Sequence, residues 1–120
     1  FAPYATGVYP GPFGSATHFW AKFGEAVAQA LNCPVAVFNA AFGGSSLDHW
    51  AKSAQGLPFE HGFINSAQRM PYANLKNALQ EFGAITGVRA VLMDQGQNDH
   101  SETDAGVIFA NYRIVVDQLR

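Results

Sequence analysis

The chain has 120 residues, a formal net charge of −2, 48% hydrophobic residues and 13% charged residues, which indicates one globular domain and excludes intrinsic disorder. This weak negative charge gives no electrostatic reason to expect nucleic acid or an anionic membrane as a partner. No apolar run approaches the ~20 residues that a membrane span requires, and the single cysteine, Cys33, cannot form an internal disulfide.

Three segments carry apolar residues at helical spacing. The first follows a Pro- and Gly-rich loop at 1–16. We expect a helix capped by Ser15 or Thr17 that ends at about Leu31, because Asn32 favours a left-handed C-terminal position. The aromatic stripe of this helix is expected to pack in the core. The other two helices are predicted over 71–83 and from a cap at Ser101 or Thr103 to the chain end, with Ile108, Tyr112, Val115 and Leu119 on one face.

Two apolar runs rich in β-branched residues predict buried strands, at Val35–Ala41 and 88–94, with a long loop at 52–70. The alternation of helices and strands favours a parallel sheet that is covered on both faces. Two strands cannot make such a sheet, so we expect part of it to lie outside these 120 residues.

Each predicted strand ends in a polar turn that contains glycine. The first runs into Gly43-Gly44-Ser45-Ser46 and the second into Gln95-Gly96-Gln97-Asn98-Asp99. Taken singly, each is also consistent with a plain turn. Ligand sites of open α/β sheets lie beyond the carboxyl ends of strands, so the two turns together would place a backbone N–H and a neutral amide at one site. Those are the donors that an oxyanion hole requires.

Gly96-Gln97-Asn98-Asp99 matches the G-x-N-D block of the SGNH (GDSL-like) hydrolases, and the 43–46 turn resembles their second block. The finer resemblance is to the sialate O-acetylesterase and acetylxylan esterase branch, in which a strand ends in G-G-[ST]-S with a tryptophan after it, here Trp50. Met93 and Gln97 stand where that branch has tryptophan and glutamate. We therefore expect the substrate pocket to differ from that branch more than the reaction class does.

The resemblance implies a three-layer α/β/α, flavodoxin-like fold with a parallel sheet, of which residues 1–120 would form the internal middle part of a single domain. It implies a serine esterase that acts on an O-acetyl or other short acyl ester of a carbohydrate, with no cofactor. The oxyanion hole would come from the Gly44 N–H and the Asn98 amide, supported by Gln95, Gly96 and Asp99. A secreted or periplasmic location would fit such an enzyme by family analogy alone.

The family's remaining machinery has no counterpart in the sequence. Its nucleophile lies in a G-D-S or G-Q-S block and its acid and base in a D-x-x-H block, and neither pattern occurs in residues 1–120. We therefore expect the nucleophilic serine and the Asp–His pair to lie outside these residues. We also expect this segment to need the remainder of its own domain to fold and to act.

One alternative is a non-catalytic carbohydrate-binding domain of the same fold. Aromatic side chains would then serve as platforms on which sugar rings stack, and the candidates are Trp50, Phe59, Phe63 and Tyr72. The competing interpretation of these four residues is that they belong to the core.

A further alternative is a metal-dependent hydrolase, because carboxylates and histidines are common metal ligands. The candidate ligands are Asp94, Asp99, His100 and Asp104. No compact ligand spacing such as H-x-x-x-H accompanies them, and the SGNH resemblance accounts for the same stretch without a metal.

Overall fold

The computed structural model describes residues 19–120, and over this range the regular structure is helical. The helices are α1 Trp20–Leu31, α2 Leu47–Gln55, α3 Tyr72–Ala78, α4 Ala84–Thr86 and α5 Ala105–Gln118. A π-helical turn at Leu79–Gly83 joins α3 to α4, and short 3₁₀ turns lie at Ser66–Gln68 and Gln97–Asp99. The predicted loop at 1–16 and the predicted caps Ser15 and Thr17 lie outside the described residues.

The predicted α/β fold is wrong for the described part of the chain, which contains no β-strand and no sheet. Val35–Ala41 and residues 88–94 form neither helix nor strand, although both runs are apolar. Side chains in these runs are substantially exposed, for example 47% at Phe38 and 57% at Leu92. A strand exists only where its backbone groups pair with a neighbour. Between residues 19 and 120 no backbone hydrogen bond joins the two runs, so hydrophobicity alone did not produce strands.

Helix α1 ends where the sequence predicts. Asn32 takes the left-handed conformation, φ 49° and ψ 43°, and its N–H bonds back to the last turn of the helix. The expectation that its aromatic stripe packs in the core is wrong, since α1 has no buried residue and Phe19 is 61% exposed.

Helix α2 was not predicted, although its sequence carries the usual signals. The Ser46 side chain accepts the His49 N–H, and His49 Nδ1 accepts the Ser46 N–H at 3.0 Å, which makes a reciprocal capping box. Gly56 ends the helix at φ 75°. Its buried apolar residues follow a spacing of three, one and three: Leu47, Trp50, Ala51 and Ala54.

The core lies where α2 packs against α5 and α3. Val115 of α5 is fully buried, and Tyr72 at the start of α3 is 4% exposed and donates its hydroxyl to the Gln118 carbonyl at 2.6 Å. The predicted apolar face of α5 is confirmed, but its cap is Asp104 rather than Ser101 or Thr103. The remaining buried apolar members of this core are Phe42, Trp50, Ala54, Ile64 and Met70.

Arg69 closes the other end of α2. Its Nε donates to the Ser53 carbonyl at 3.1 Å, and its Nη2 donates to the Ala54 carbonyl. A cation at this position satisfies helix-terminal carbonyls and complements the helix dipole. In the described range, none of the helices has the length and apolar character needed to cross a membrane.

Candidate functional site

The two polar turns meet in the structure. Asn98 Nδ2 donates to the Gly44 carbonyl at 2.9 Å, and Gln95 Nε2 donates to the Ser45 carbonyl at 2.8 Å. These contacts join segments that are 54 and 50 positions apart in the sequence. The structure therefore brings together the two motifs that the sequence singles out, even though neither follows a strand.

Asp99 ties the second turn to the start of α2. Its Oδ1 accepts the Leu47 N–H at 2.8 Å, and its Oδ2 accepts the Gln95 Nε2 at 3.0 Å. The Leu47 N–H is one of the donors that the first turn of a helix leaves unpaired, and a carboxylate there also complements the helix dipole. Because Gln95 also bonds Ser45, both hydrogens of its amide are used.

Tyr112 of α5 fixes Gln95 from the other side. Its hydroxyl donates to the Gln95 carbonyl at 2.7 Å. Sequence reasoning placed Tyr112 only on the apolar face of its helix, and nothing in the local sequence indicates this hydrogen bond. Gly96 closes the same turn by accepting the Asp99 N–H at 2.9 Å.

Gly44 leaves a backbone donor available next to Asn98. It adopts φ +76°, which favours glycine, and a Cβ at this position would lie 2.7 Å from Phe63 Cζ, so the Phe63 ring would have to move to admit another residue. No acceptor between residues 19 and 120 takes the Gly44 N–H. Asn98 is exposed, and its amide carries two hydrogens, of which Gly44 takes one. One backbone donor and one amide donor therefore remain for a ligand.

A row of aromatic rings begins beside Gly44. Phe63 packs edge-to-face on His61, His61 on His49, and His49 stacks on Phe59 at a centroid distance of 4.8 Å. His49 and His61 accept the backbone N–H groups of Ser46 and Phe63 through Nδ1, which assigns the ring hydrogen of each neutral imidazole to Nε2. Burial, and then the neighbouring His61, lower the pKa of His49.

The four candidate stacking aromatics divide into three groups by exposure. Trp50 and Tyr72 are core residues, 6% and 4% exposed, and the indole N–H of Trp50 donates to Ser45 Oγ at 2.9 Å. Phe59 is partly buried against His49. Phe63 alone of the four is largely exposed, at 61%.

The candidate metal ligands do not form a site in this part of the chain. Asp94 and His100 are exposed, and both carboxylate oxygens of Asp99 accept hydrogen bonds from the protein. Across residues 19–120 no three His, Cys, Asp or Glu side chains are grouped so that they could hold a metal ion.

Comparison of the chain with protein-family models, with curated proteins and with solved structures gave no match.

Proposed function

We propose that the contact between the 43–46 turn and the 95–99 turn forms the oxyanion-binding part of a serine esterase that hydrolyses O-acetyl or other short acyl esters of carbohydrates. The observation that carries the proposal is the 2.9 Å hydrogen bond from Asn98 to the Gly44 carbonyl. It places a neutral amide donor beside a glycine whose own N–H is free of any acceptor in the described range. The proposal depends on this contact and on the G-x-N-D resemblance, and it requires no β-sheet.

In this mechanism a serine that the 120 residues do not supply attacks the acyl carbonyl, assisted by a histidine and an aspartate that are also supplied from outside them. The carbonyl oxygen becomes negatively charged in the tetrahedral intermediate. It accepts the Gly44 N–H, the second hydrogen of Asn98 Nδ2 and the N–H of the nucleophile itself. Both donors in this chain are neutral, so their contribution does not depend on a protonation state.

Gln95, Gly96 and Asp99 have a positioning role in this proposal. Gln95 holds the two turns together through Ser45 and Asp99. Asp99 anchors the 95–99 turn to the start of α2 by accepting the Leu47 N–H. Preorganised donors stabilise a transition state because they need no reorganisation when charge develops, so the network contributes by holding Asn98 and Gly44 in place.

The test is Asn98→Ala in the natural protein that contains these residues, assayed on an acetylated carbohydrate. Loss of one oxyanion donor lowers turnover by roughly 10²–10³ in known cases, and we expect a loss of that order with the circular dichroism spectrum unchanged. His100→Ala is the matched control, since this neighbouring side chain is exposed and has no role in the proposed site. Unchanged turnover in Asn98→Ala would refute the proposal, and a collapse in His100→Ala would favour the metal alternative.

A non-catalytic carbohydrate-binding domain is the second candidate, and the exposed ring of Phe63 favours it. The loss of Trp50 and Tyr72 to the core weighs against the broader stacking surface that this alternative requires. A natural protein that binds a deacetylated oligosaccharide but releases no acetate from its acetylated form would establish this alternative instead.

A further inference from the structure

Phe63 is an exposed aromatic side chain beside Gly44, one of the two proposed oxyanion donors. Its Cζ lies 2.7 Å from the position that a Cβ of Gly44 would take, so the ring lies beside that glycine. The ring is therefore next to the residue whose N–H is a proposed oxyanion donor. Phe63 is 61% exposed, and its ring is also stacked with the buried Phe42 at 6.3 Å.

The residues on both sides of Phe63 in the sequence line an open cavity of about 660 Å³. It is lined by an aromatic ring, an imidazole, a carboxylate, an amide and a hydroxyl: Phe59, His61, Glu60, Asn65 and Ser66. Its size is within the range of small-molecule sites, which are typically about 300–1,000 Å³. The edge-to-face contact between His61 and Phe63, at 4.5 Å, joins the cavity to the ring beside Gly44.

We infer that the 59–67 loop binds the carbohydrate portion of the ester, with the Phe63 ring as a platform for one sugar unit and the cavity as the site of the next. The inference rests on the proposed function, because it takes the ester carbonyl to be held at Gly44 and Asn98. It assigns a substrate-selecting role to Phe63. The side chain of Phe63 has no polar atom and so cannot itself donate to the oxyanion.

The chemistry of the loop fits a sugar better than it fits the acyl group. An acetyl group adds a single methyl to the ester carbonyl and would cover little of this open cavity. A sugar unit has an apolar C–H face, which an aromatic ring covers, and hydroxyl groups that both donate and accept hydrogen bonds. The lining of the cavity offers both kinds of partner, with acceptors at Glu60 and Asn65 and a donor at the Nε2 of neutral His61.

The experiment compares Phe63→Ala with the natural protein on two substrates, a monoacetylated xylo-oligosaccharide and ethyl acetate. We expect kcat/KM to fall about tenfold on the oligosaccharide, mainly through KM, and to change little on ethyl acetate, since only the sugar uses the ring. Phe63→Tyr keeps the ring and should retain activity. Phe19→Ala is the control, because Phe19 is equally exposed, at 61%, and packs on Trp20 instead.

A second measurement separates this inference from the proposed function. The dissociation constant of the deacetylated oligosaccharide, measured by calorimetry, should rise about tenfold in Phe63→Ala and should not change in Asn98→Ala. If the natural protein hydrolyses neither ester but shows this binding difference, the esterase proposal fails and the sugar site stands. The inference is overturned if Phe63→Ala binds the oligosaccharide as tightly as the natural protein does, or if it loses activity equally on both substrates. It is also overturned if the natural protein does not bind the deacetylated oligosaccharide.

Discussion

The charge of Asp99 should be needed to hold the two turns together, and Asp99→Asn tests this with almost no change in shape. The carboxylate accepts two donors, the Leu47 N–H at 2.8 Å and Gln95 Nε2 at 3.0 Å. An asparagine has only one acceptor oxygen, so its Nδ2 must face one of these donors. Gln95 cannot compensate by turning its amide over, because its Nε2 would then lose the Ser45 carbonyl.

The expected loss is that of one hydrogen bond to a charged group together with a donor left facing a donor, about 1–3 kcal/mol. At 1.4 kcal/mol per factor of ten, this corresponds to roughly a 5- to 150-fold change in a local opening equilibrium. The assay is hydrogen exchange of the Leu47 amide in the natural protein, since this amide bonds Asp99 directly and reports local opening. We expect its exchange to accelerate by that factor in Asp99→Asn.

Asp104→Asn is the matched control. Asp104 also accepts a helix-terminal N–H, that of Gly106 at 2.7 Å, but it has no second donor at its other oxygen between residues 19 and 120. Asparagine and aspartate are comparable N-caps, so exchange at Gly106 should change by less than about twofold. Equal acceleration in the two variants, or an unchanged Leu47 amide in Asp99→Asn, would refute the reasoning that the second acceptor oxygen is what matters.

Two further predictions concern stability, both measured by urea unfolding of the natural protein. His49 Nδ1 accepts the Ser46 N–H, and the pKa of His49 in the folded protein lies below the ordinary 6.5. Neutral His49 therefore stabilises the fold above about pH 6.5. This stabilisation is lost as the pH falls through the folded pKa. His49→Gln keeps a capping acceptor that does not titrate, and it should therefore remove this acid-linked loss; an identical pH profile in both proteins would contradict the assignment. Asn74 is fully buried, and neither polar atom of its side chain has a partner in the described range, so Asn74→Leu should raise the free energy of unfolding by about 1–3 kcal/mol. A decrease would mean that the Asn74 amide has a polar partner after all, and the comparison variant Asn77→Leu, on the same helix but less buried, should gain less.

The helices show which features of the fold can be predicted from local sequence. The end of α1 at Asn32 and the buried face of α5 around Val115 could be predicted because each depends on one residue type or on simple periodicity. Helix α2 could also have been found, since Ser46 supplies an N-cap, Gly56 an end and the buried residues a helical spacing. The predicted loop at 52–70 overlaps the end of α2, and the helix is so short that its apolar spacing is obscured by the glycine and serine turn before it and the irregular sequence after it.

The prediction of two strands is wrong for a different reason. The apolar, β-branched composition of Val35–Ala41 and residues 88–94 is a local property, whereas a strand is a pairing between segments. No signal within either run specifies its partner, and in the described structure Val37 and Leu92 remain 40% and 57% exposed. Residue composition therefore indicates which segments are apolar and have a high propensity for extended structure. It does not indicate whether those segments pair to form a sheet.

The site shows the same division between local motif and long-range contact. Gly44 and Asn98 were recognisable because a turn that needs a glycine and an amide donor leave a sequence pattern, and the structure joins the two turns that contain them. The sequence names Phe63 as a candidate sugar platform, but it does not indicate the contact of Phe63 with Gly44 or any site role for Tyr112, because both depend on contacts between distant parts of the chain. No spacing rule connects such positions before the fold is known.

The hydrogen bonds around Gln95 make the geometry of the proposed site depend on helix packing. Tyr112 of α5 holds the Gln95 carbonyl, the Gln95 amide holds Ser45 and Asp99, and Asp99 holds the first turn of α2. Since α2 and α5 also pack against each other through the buried core, a shift between these helices must strain or break this chain of bonds. The network thus couples the position of Asn98 to the α2–α5 interface, so core substitutions at that interface should also disturb the proposed oxyanion donors.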